Sequence, residues 1–254
     1  MNPDLFEAKM RLGEYFHSLR AIDDAYIVIR VDGRSFSKLT ETMEKPFDDR
    51  FHRMMVETAN VLLQKLSGLY AYTESDEISV LLRRNADLFD REVEKLVSIS
   101  AAIATSQMTL QMHCALEFDS RIWLGIGDQQ VVDYFRWRQA DAARCALNGW
   151  AYWMLRNEGK SAAAASKELL NKGPHFKNEL LFKRGVNFAR LPAWQRNGTG
   201  IHWASTLKKG FNPKLKKEVT VSRRMTLVCE ELPTGKIYDE YLLEQIKKDG
   251  LPNP

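Results

Sequence analysis

Two short apolar runs, Leu69-Tyr-Ala-Tyr72 and Ile78-Ser-Val-Leu-Leu82, are joined by Thr73-Glu-Ser-Asp-Glu77, and long amphipathic stretches flank them on both sides. Runs this short and this rich in aromatic and β-branched residues read as strands, and the brief link makes them a hairpin with an acidic tip. Upstream, Ala25-Tyr-Ile-Val-Ile-Arg-Val31 is another strand, ended by Asp32-Gly33-Arg34, where glycine marks a change of direction. Asp48 to Leu66 sets Phe51, Met54, Met55, Thr58, Ala59, Leu62 and Leu66 on one helical face. Asp90 to Met112 does the same with Val93, Leu96, Val97, Ser100, Ile103, Ala104 and Met108. Ala115 to Trp123 is strand-like, Val131 to Leu155 is helical, and Leu5 to Leu19 carries apolar residues at helical spacing. The order strand, helix, strand, strand, helix, strand is the βαββαβ pattern of ferredoxin-like folds. An α+β protein with a ferredoxin-like core follows, of the kind used by polymerase palms, nucleotide cyclases and RNA-recognition modules, so the order alone assigns no function.

The 254 residues, 44% hydrophobic and 28% charged, suit a globular chain and exclude a disordered tail or a disulfide-stapled miniprotein. Cys114, Cys145 and Cys229 are an odd set without CxxC spacing, which argues against zinc or a disulfide framework and for a reducing compartment. The first residues lack a signal-peptide pattern, and no apolar run is long enough to cross a bilayer, so a cytoplasmic protein with no membrane attachment is expected. The net charge is +4, but Lys208, Lys209, Lys214, Lys216, Lys217, Arg223 and Arg224 face only Glu218 between Leu207 and Arg224. A near-neutral body with one basic segment fits local contact with a polyanion.

Asp32 ends the first strand, and Asp76 with Glu77 lies at the hairpin tip. In a βαββαβ sheet the first and third strands are neighbours, so these acids can converge. Carboxylates that converge repel unless a proton or a cation intervenes, and oxygen donors without His or Cys favour magnesium. Gly33 lets a backbone carbonyl approach such an ion as a neutral ligand. The plainer alternative is that Asp32 and Asp76 are turn residues with local roles. Arg30, Arg34, Lys38, Lys45 and Arg50 surround the first acid, and Arg91 with Lys95 opens the helix after the hairpin, as triphosphate binding would require. There is no Walker GxxxxGK[ST] and no GxGxxG, which excludes the usual P-loop and Rossmann sites.

Val31-Asp32-Gly33-Arg34-Ser35-Phe36, Lys45-Pro46-Phe47-Asp48-Asp49-Arg50 and Ser75-Asp76-Glu77 resemble tRNA(His) guanylyltransferase and its Thg1-like relatives. So do Phe118-Asp119-Ser120-Arg121, Tyr134-Phe-Arg-Trp-Arg-Gln-Ala-Asp141 and Gly185-Val-Asn-Phe188, in the same order from about Asp24 to Gly200. The resemblance implies 3′-to-5′ nucleotide addition to tRNA 5′ ends on a palm-like core. Activation by ATP, or a pre-existing 5′-triphosphate, precedes attack by the 3′-hydroxyl of an incoming GTP or other NTP. It further implies two Mg2+ ions on Asp32, Asp76 and the Gly33 carbonyl, with Glu77 in support as a third catalytic acid. Nucleotide contacts are implied at Arg30, Gly33, Arg34, Ser35, Phe36, Lys45, Asp48, Ser75, Arg91 and Lys95. Lys177 and Asn187 match C-terminal positions tied to activity. Two departures stand out. The family's His-Ile-Asn-Asn-Leu-Tyr-Asn run is here Ala143-Arg-Cys-Ala-Leu-Asn-Gly149, which points to the Thg1-like branch and template-directed repair of truncated tRNA. Its Lys-Pro-Asn-Asp is here Lys45-Pro46-Phe47-Asp48, which removes an amide from the base site.

A single catalytic domain over 1–254 is expected, with the palm-like core at about 20–140 and a helical, basic, tRNA-contacting extension at about 141–254. The basic segment, from Lys208 to Arg224, reads as an exposed hairpin that grips RNA phosphates. A homotetramer is implied by the family. The competing readings are a guanylyltransferase proper that adds an untemplated G, a palm-fold nucleotide cyclase, and a non-catalytic RNA-binding module. Tyr134, Trp137, Trp150, Tyr152 and Trp153 have the helical spacing of core residues, with base stacking as the alternative.

Overall fold

The computed structural model describes residues 3–212 and 217–247. Its elements are α1 (Pro3–Arg11), β1 (Tyr26–Gly33), α2 (Phe36–Leu39), α3 (Asp49–Lys65), β2 (Tyr70–Glu74), β3 (Glu77–Leu81), α4 (Val93–Met112) and β4 (Phe118–Gly125). They continue with α5 (Asp128–Asn157), α6 (Ala162–Leu169), α7 (Pro174–Phe182), α8 (Ala193–Asn197), β5 (Thr199–Asn212), β6 (Lys217–Cys229) and α9 (Lys236–Lys247). Among the described residues the strands form one antiparallel sheet in the order β4-β1-β3-β2-β5-β6.

Alternation along β1 explains why helices cover both faces of this sheet. Ile27, Ile29 and Val31 enter a core with Ala59, Leu62 and Leu63 of α3 and Leu96, Ala104 and Met108 of α4. Tyr26 and Val28 point the other way, into a core with Val131, Val132 and Phe135 of α5 and Tyr238, Leu242 and Ile246 of α9. The far half of α5 packs with α6 and α7 through Leu147, Leu155, Ala165, Leu180 and Leu181. α5 therefore runs unbroken through residue 140, and β5, β6 and α9 return to the sheet.

Three expectations need correction. Leu5 to Leu19 is not one helix: α1 ends at Arg11, and a short 3-10 turn follows at Tyr15–Ser18. Glycine at position 13 interrupts the stretch, and α1 buries none of its residues, so packing does not hold the pattern together. The helix expected from Asp90 begins at Val93, because Phe89, Asp90 and Arg91 lie in the left-handed region with φ of 53°, 53° and 57°. The basic hairpin is the outer part of a longer one, whose base at Thr199 to His202 pairs with β2 and widens the sheet. No helix among the described residues is long and apolar enough to cross a membrane.

Candidate active site

β1 delivers Asp32 to the edge of the core. In register, Asp32 stands opposite Glu77 on β3 and Asp119 on β4, so three acids form a row across neighbouring strands. Ser75 and Asp76 form the two-residue link of the β2–β3 hairpin. The Gly33 N–H donates to the Asp76 carbonyl at 3.0 Å and ties this link to the end of β1. A Cβ on Gly33 would fall 2.5 Å from the Phe36 ring, so only glycine permits the close turn. Ser35 and Ser75, on either side, hold φ of 61° and 48°. Non-glycine residues in this region mark places where the surrounding structure sustains local strain.

The acids differ in what answers their charge. Glu77 accepts from Arg138 Nε at 2.7 Å and Nη2 at 2.8 Å, with Arg30 Nε 3.8 Å away. Asp119 accepts from Arg121 at 2.8 Å. Asp32 has no ion pair among the described residues, and the Asp76 carboxylate accepts from the Ser75 hydroxyl at 3.1 Å. Burial pushes the Asp76 carboxyl up, and the nearby charge of Asp32 adds to that against hydrogen bonds from its own N–H and Ser75. The three expected acids therefore do not form one cradle, because Arg138 draws Glu77 to itself. Among the described residues no group of three or more His, Cys, Asp or Glu side chains is placed to hold a metal. What remains is two oxygen donors that repel each other, which fits a hard divalent cation completed by substrate phosphates.

A cleft adjoins the hairpin, lined by Lys45, Phe47, Asp48 and His52, by Thr73, Glu74 and Ser75, by Cys145, Ala146, Gly149 and Trp153 of α5, and by Trp194 of α8. Its walls are aromatic. The His52 ring stacks on Trp194 at 4.0 Å, Phe47 meets Trp194 edge-on at 5.6 Å, and the Lys45 ammonium lies 5.8 Å from the Trp153 ring centre. Burial holds the His52 imidazole below its ordinary value, although the Glu230 carboxylate, accepting from the ring at 3.1 Å, opposes this. Burial, and then the charge of Glu77, pushes Glu74 up to about 8 against Arg138, which favours the protonated carboxyl. Asp48 behaves oppositely: burial resists its charge, but the Arg50 guanidinium and the N–H groups of Phe51, Glu44 and Arg50 hold it at about 2. It is the N-cap of α3, so its acceptors are already committed where the cleft begins.

The other expected residues scatter. Lys45 and Ser75 line the cleft and Arg30 lies two residues before Asp32. Ser35 is exposed, and Arg34 is spent on Glu117 at 2.8 Å on the surface. Phe36 is buried, with its ring 6.0 Å from Phe51 and 5.0 Å from Phe118, so its side chain serves the core and not a nucleotide. Arg91 is buried, and its guanidinium donates to the carbonyls of Ala21, Arg84, Ala86, Ile22 and Ala25. Lys95 is paired with Glu92 at 2.9 Å. Arg91 touches Ala25 at the start of β1, about 20 Å by strand rise from Asp32, so within one chain it does not meet the same phosphates.

Lys177 donates to Asn148 at 2.5 Å, and Asn187 caps a short turn at Ala189. Lys208 and Lys209 are on β5 and Lys217, Arg223 and Arg224 on β6; Lys209, Lys217 and Arg223 are exposed, and Arg224 lies 4.3 Å from the Trp203 ring centre. Lys214 and Lys216 are outside the described residues. Sequence reasoning missed Arg138, His52 and Trp194. The WRQ run contains Arg138, but nothing in spacing ties it to a carboxylate on a hairpin far upstream.

A family model described as tRNA(His) guanylyltransferase matches residues 7–134, and one described as the Thg1 C-terminal domain matches residues 129–232. A probable tRNA(His) guanylyltransferase of Dictyostelium discoideum is 32% identical over 236 residues, 87% of this chain and 90% of that protein. The tRNA(His) guanylyltransferase of Schizosaccharomyces pombe is 30% identical over 247 residues, 89% and 94% of the two chains. A bacterial tRNA(His) guanylyltransferase-like protein solved in complex with ATP superposes with a TM-score of 0.75 at 24% identity, covering 95% of this chain and 99% of that one. A bacterial protein of the same description in complex with GTP gives 0.72 at 24% identity, covering 95% of this chain and 98% of that one.

Proposed function

This chain belongs to the tRNA(His) guanylyltransferase family, and on that premise we propose that it is a magnesium-dependent 3′–5′ nucleotidyltransferase that rebuilds tRNA 5′ ends by template pairing. We read β4, β1, β3 and β2, with α3 and α4 on one face, as a ferredoxin-like palm. The observation that carries the reading is the pair Asp32 and Asp76, near enough to feel each other's charge, tied by the Gly33–Asp76 backbone bond beside a cleft that Ser75 lines, and with no ion pair to either among the described residues.

In this reading the cleft takes the activating ATP. Its base lies among Trp194, His52 and Phe47, and Lys45 meets phosphate. The 3′-hydroxyl of the incoming nucleotide attacks the activated 5′ phosphate, a new P–O bond forms, and AMP or pyrophosphate leaves. Asp32 and Asp76, with the Gly33 carbonyl, would hold the magnesium ions, which when bound lower the hydroxyl's pKa and neutralise the leaving phosphate. Ser75 fixes the carboxylate of Asp76, and the Gly33–Asp76 backbone bond keeps the two acids together. The exposed basic residues Lys209, Lys217 and Arg223 on the β5–β6 hairpin contact the tRNA backbone, which makes binding salt-dependent.

The departure at residues 143–149, which the resemblance ties to the repair branch, lies beside the cleft, where Cys145, Ala146 and Gly149 form part of the lining. The test is incorporation of labelled nucleotide into a 5′-truncated tRNA whose unpaired 3′-side base is varied through all four identities. Template-matched incorporation is the expected result. Guanylate added whatever the opposing base would move the protein to the guanylyltransferase branch, and a cyclic product formed without RNA would make it a cyclase.

A further inference from the structure

A second aromatic surface adjoins the acid pair, outside the cleft. Along α5, Tyr134 is buried and Trp150, Tyr152 and Trp153 are half-buried, but Trp137 is 53% exposed. Its ring centre lies 4.6 Å from the Arg138 guanidinium carbon and 5.6 Å from that of Arg30. Both cations are anchored on the Glu77 carboxylate, so the indole caps a single ion cluster and keeps the rest of its surface in water. Arg30 Nε is buried without a hydrogen-bond partner, and Arg121, in register beside Arg30, is exposed. Arg30 and Asp32 share a face of β1 and are about 7 Å apart along it. Along the α5 axis, Trp137 is about 8 Å from Ala142, where the cleft begins. Two aromatic surfaces thus flank one pair of acids, an arrangement suited to joining two nucleotides.

We propose that the exposed surface of Trp137 is a stacking platform for the nucleobase of the nucleotide whose phosphate reaches Asp32 and Asp76. The proposal rests on the nucleotidyltransferase reading and deepens it. Stacking on an aromatic face tolerates every base, whereas a hydrogen-bonding pocket selects one. Template-directed addition requires that tolerance, because the template strand and not the protein chooses the base. The nucleobase comes either from the incoming triphosphate or from the terminal nucleotide of the RNA.

The test uses the full chain with Trp137→Leu and Trp137→Phe, and calcium in place of magnesium so that binding is read without turnover. Dissociation constants are measured for GTP alone and for a 5′-triphosphorylated RNA hairpin, together with melting temperatures. W137L should weaken one of the two probes about tenfold at unchanged melting temperature, and W137F should recover most of that loss. Loss for GTP identifies the incoming nucleotide, and loss for the hairpin identifies the RNA end. Unchanged affinities for both probes in W137L would overturn the platform. So would a wild type that binds neither probe, or a W137F as weak as W137L with a lowered melting temperature, which would mark a mere cover over Glu77. A wild type that binds both probes but adds no nucleotide in magnesium would defeat the nucleotidyltransferase reading and leave the platform standing.

Discussion

The two ends of β1 carry similar charges in opposite circumstances. At its start, Arg91 sends its guanidinium donors to five carbonyls, and Glu92 nearby collects Lys95, with Arg20 at 3.9 Å. At its finish, Asp32 lacks an ion pair among the described residues and Asp76 is held by Ser75 beside it. The first group is complete within the chain and locks the N-terminal segment down: Ala21 N–H donates to Arg91 O, and Val93 N–H to Leu19 O. The second has no such set of partners among the described residues, and the proposed reading completes it with metal and substrate phosphate. A charged residue near a helix start or strand end is thus structural or functional according to whether its partners are already present, and residue type alone does not decide.

The largest effect is expected at Asp76. Asp76→Asn removes a charge that burial already disfavours, so the metal-free variant should melt no lower than the parent. Nucleotide addition should fall at least about a hundredfold, as when one charge-stabilising group is removed from a site. A parallel loss of melting temperature and activity would make Asp76 a structural residue like Arg91. Arg91→Ala should do the reverse. It strands buried carbonyls, at a cost of about 3–5 kcal/mol, and lowers the melting temperature by roughly 10 °C. Below that melt the KM for nucleotide should be unchanged, with Lys95→Ala as a mild control. A raised KM with an unaltered melt would return Arg91 to triphosphate binding.

Much of this contrast was hidden in the sequence for identifiable reasons. Strand positions were legible because Ile27, Ile29 and Val31 alternate with Tyr26 and Val28 toward two cores. The acids were legible because Asp32-Gly33 and Ser75-Asp76 end strands that must be neighbours. The orientation of Arg91 was not, since three consecutive non-glycine residues with positive φ turn it back toward Ala21. Propensity gives no warning of that. The fate of Glu77 was equally invisible, because its partner Arg138 comes from a helix that packs on the sheet only in the folded chain. Trp194 belongs to the short α8, a piece without periodicity, and its place in the cleft depends on how α5 and α8 meet.

Glu74 gives the finest test, because it lies between the two circumstances: it has a partner, Arg138 at 3.0 Å, yet burial and Glu77 still hold its carboxyl at about 8. An unfolded glutamate releases its proton near 4.5. Between those values the folded chain keeps a proton that the unfolded chain has lost, so stability falls as pH rises through that window and levels off above about 8. Glu74→Gln keeps a neutral polar group of the same shape and does not titrate. Relative to the parent it should therefore gain stability steadily from pH 5 to pH 8, to a total on the order of a few kcal/mol. Melting curves of both proteins across that range, without divalent cations, measure the difference. A constant gap between the two would mean that Arg138 satisfies Glu74 as fully as the five carbonyls satisfy Arg91, and the hairpin would then belong with the completed end of β1.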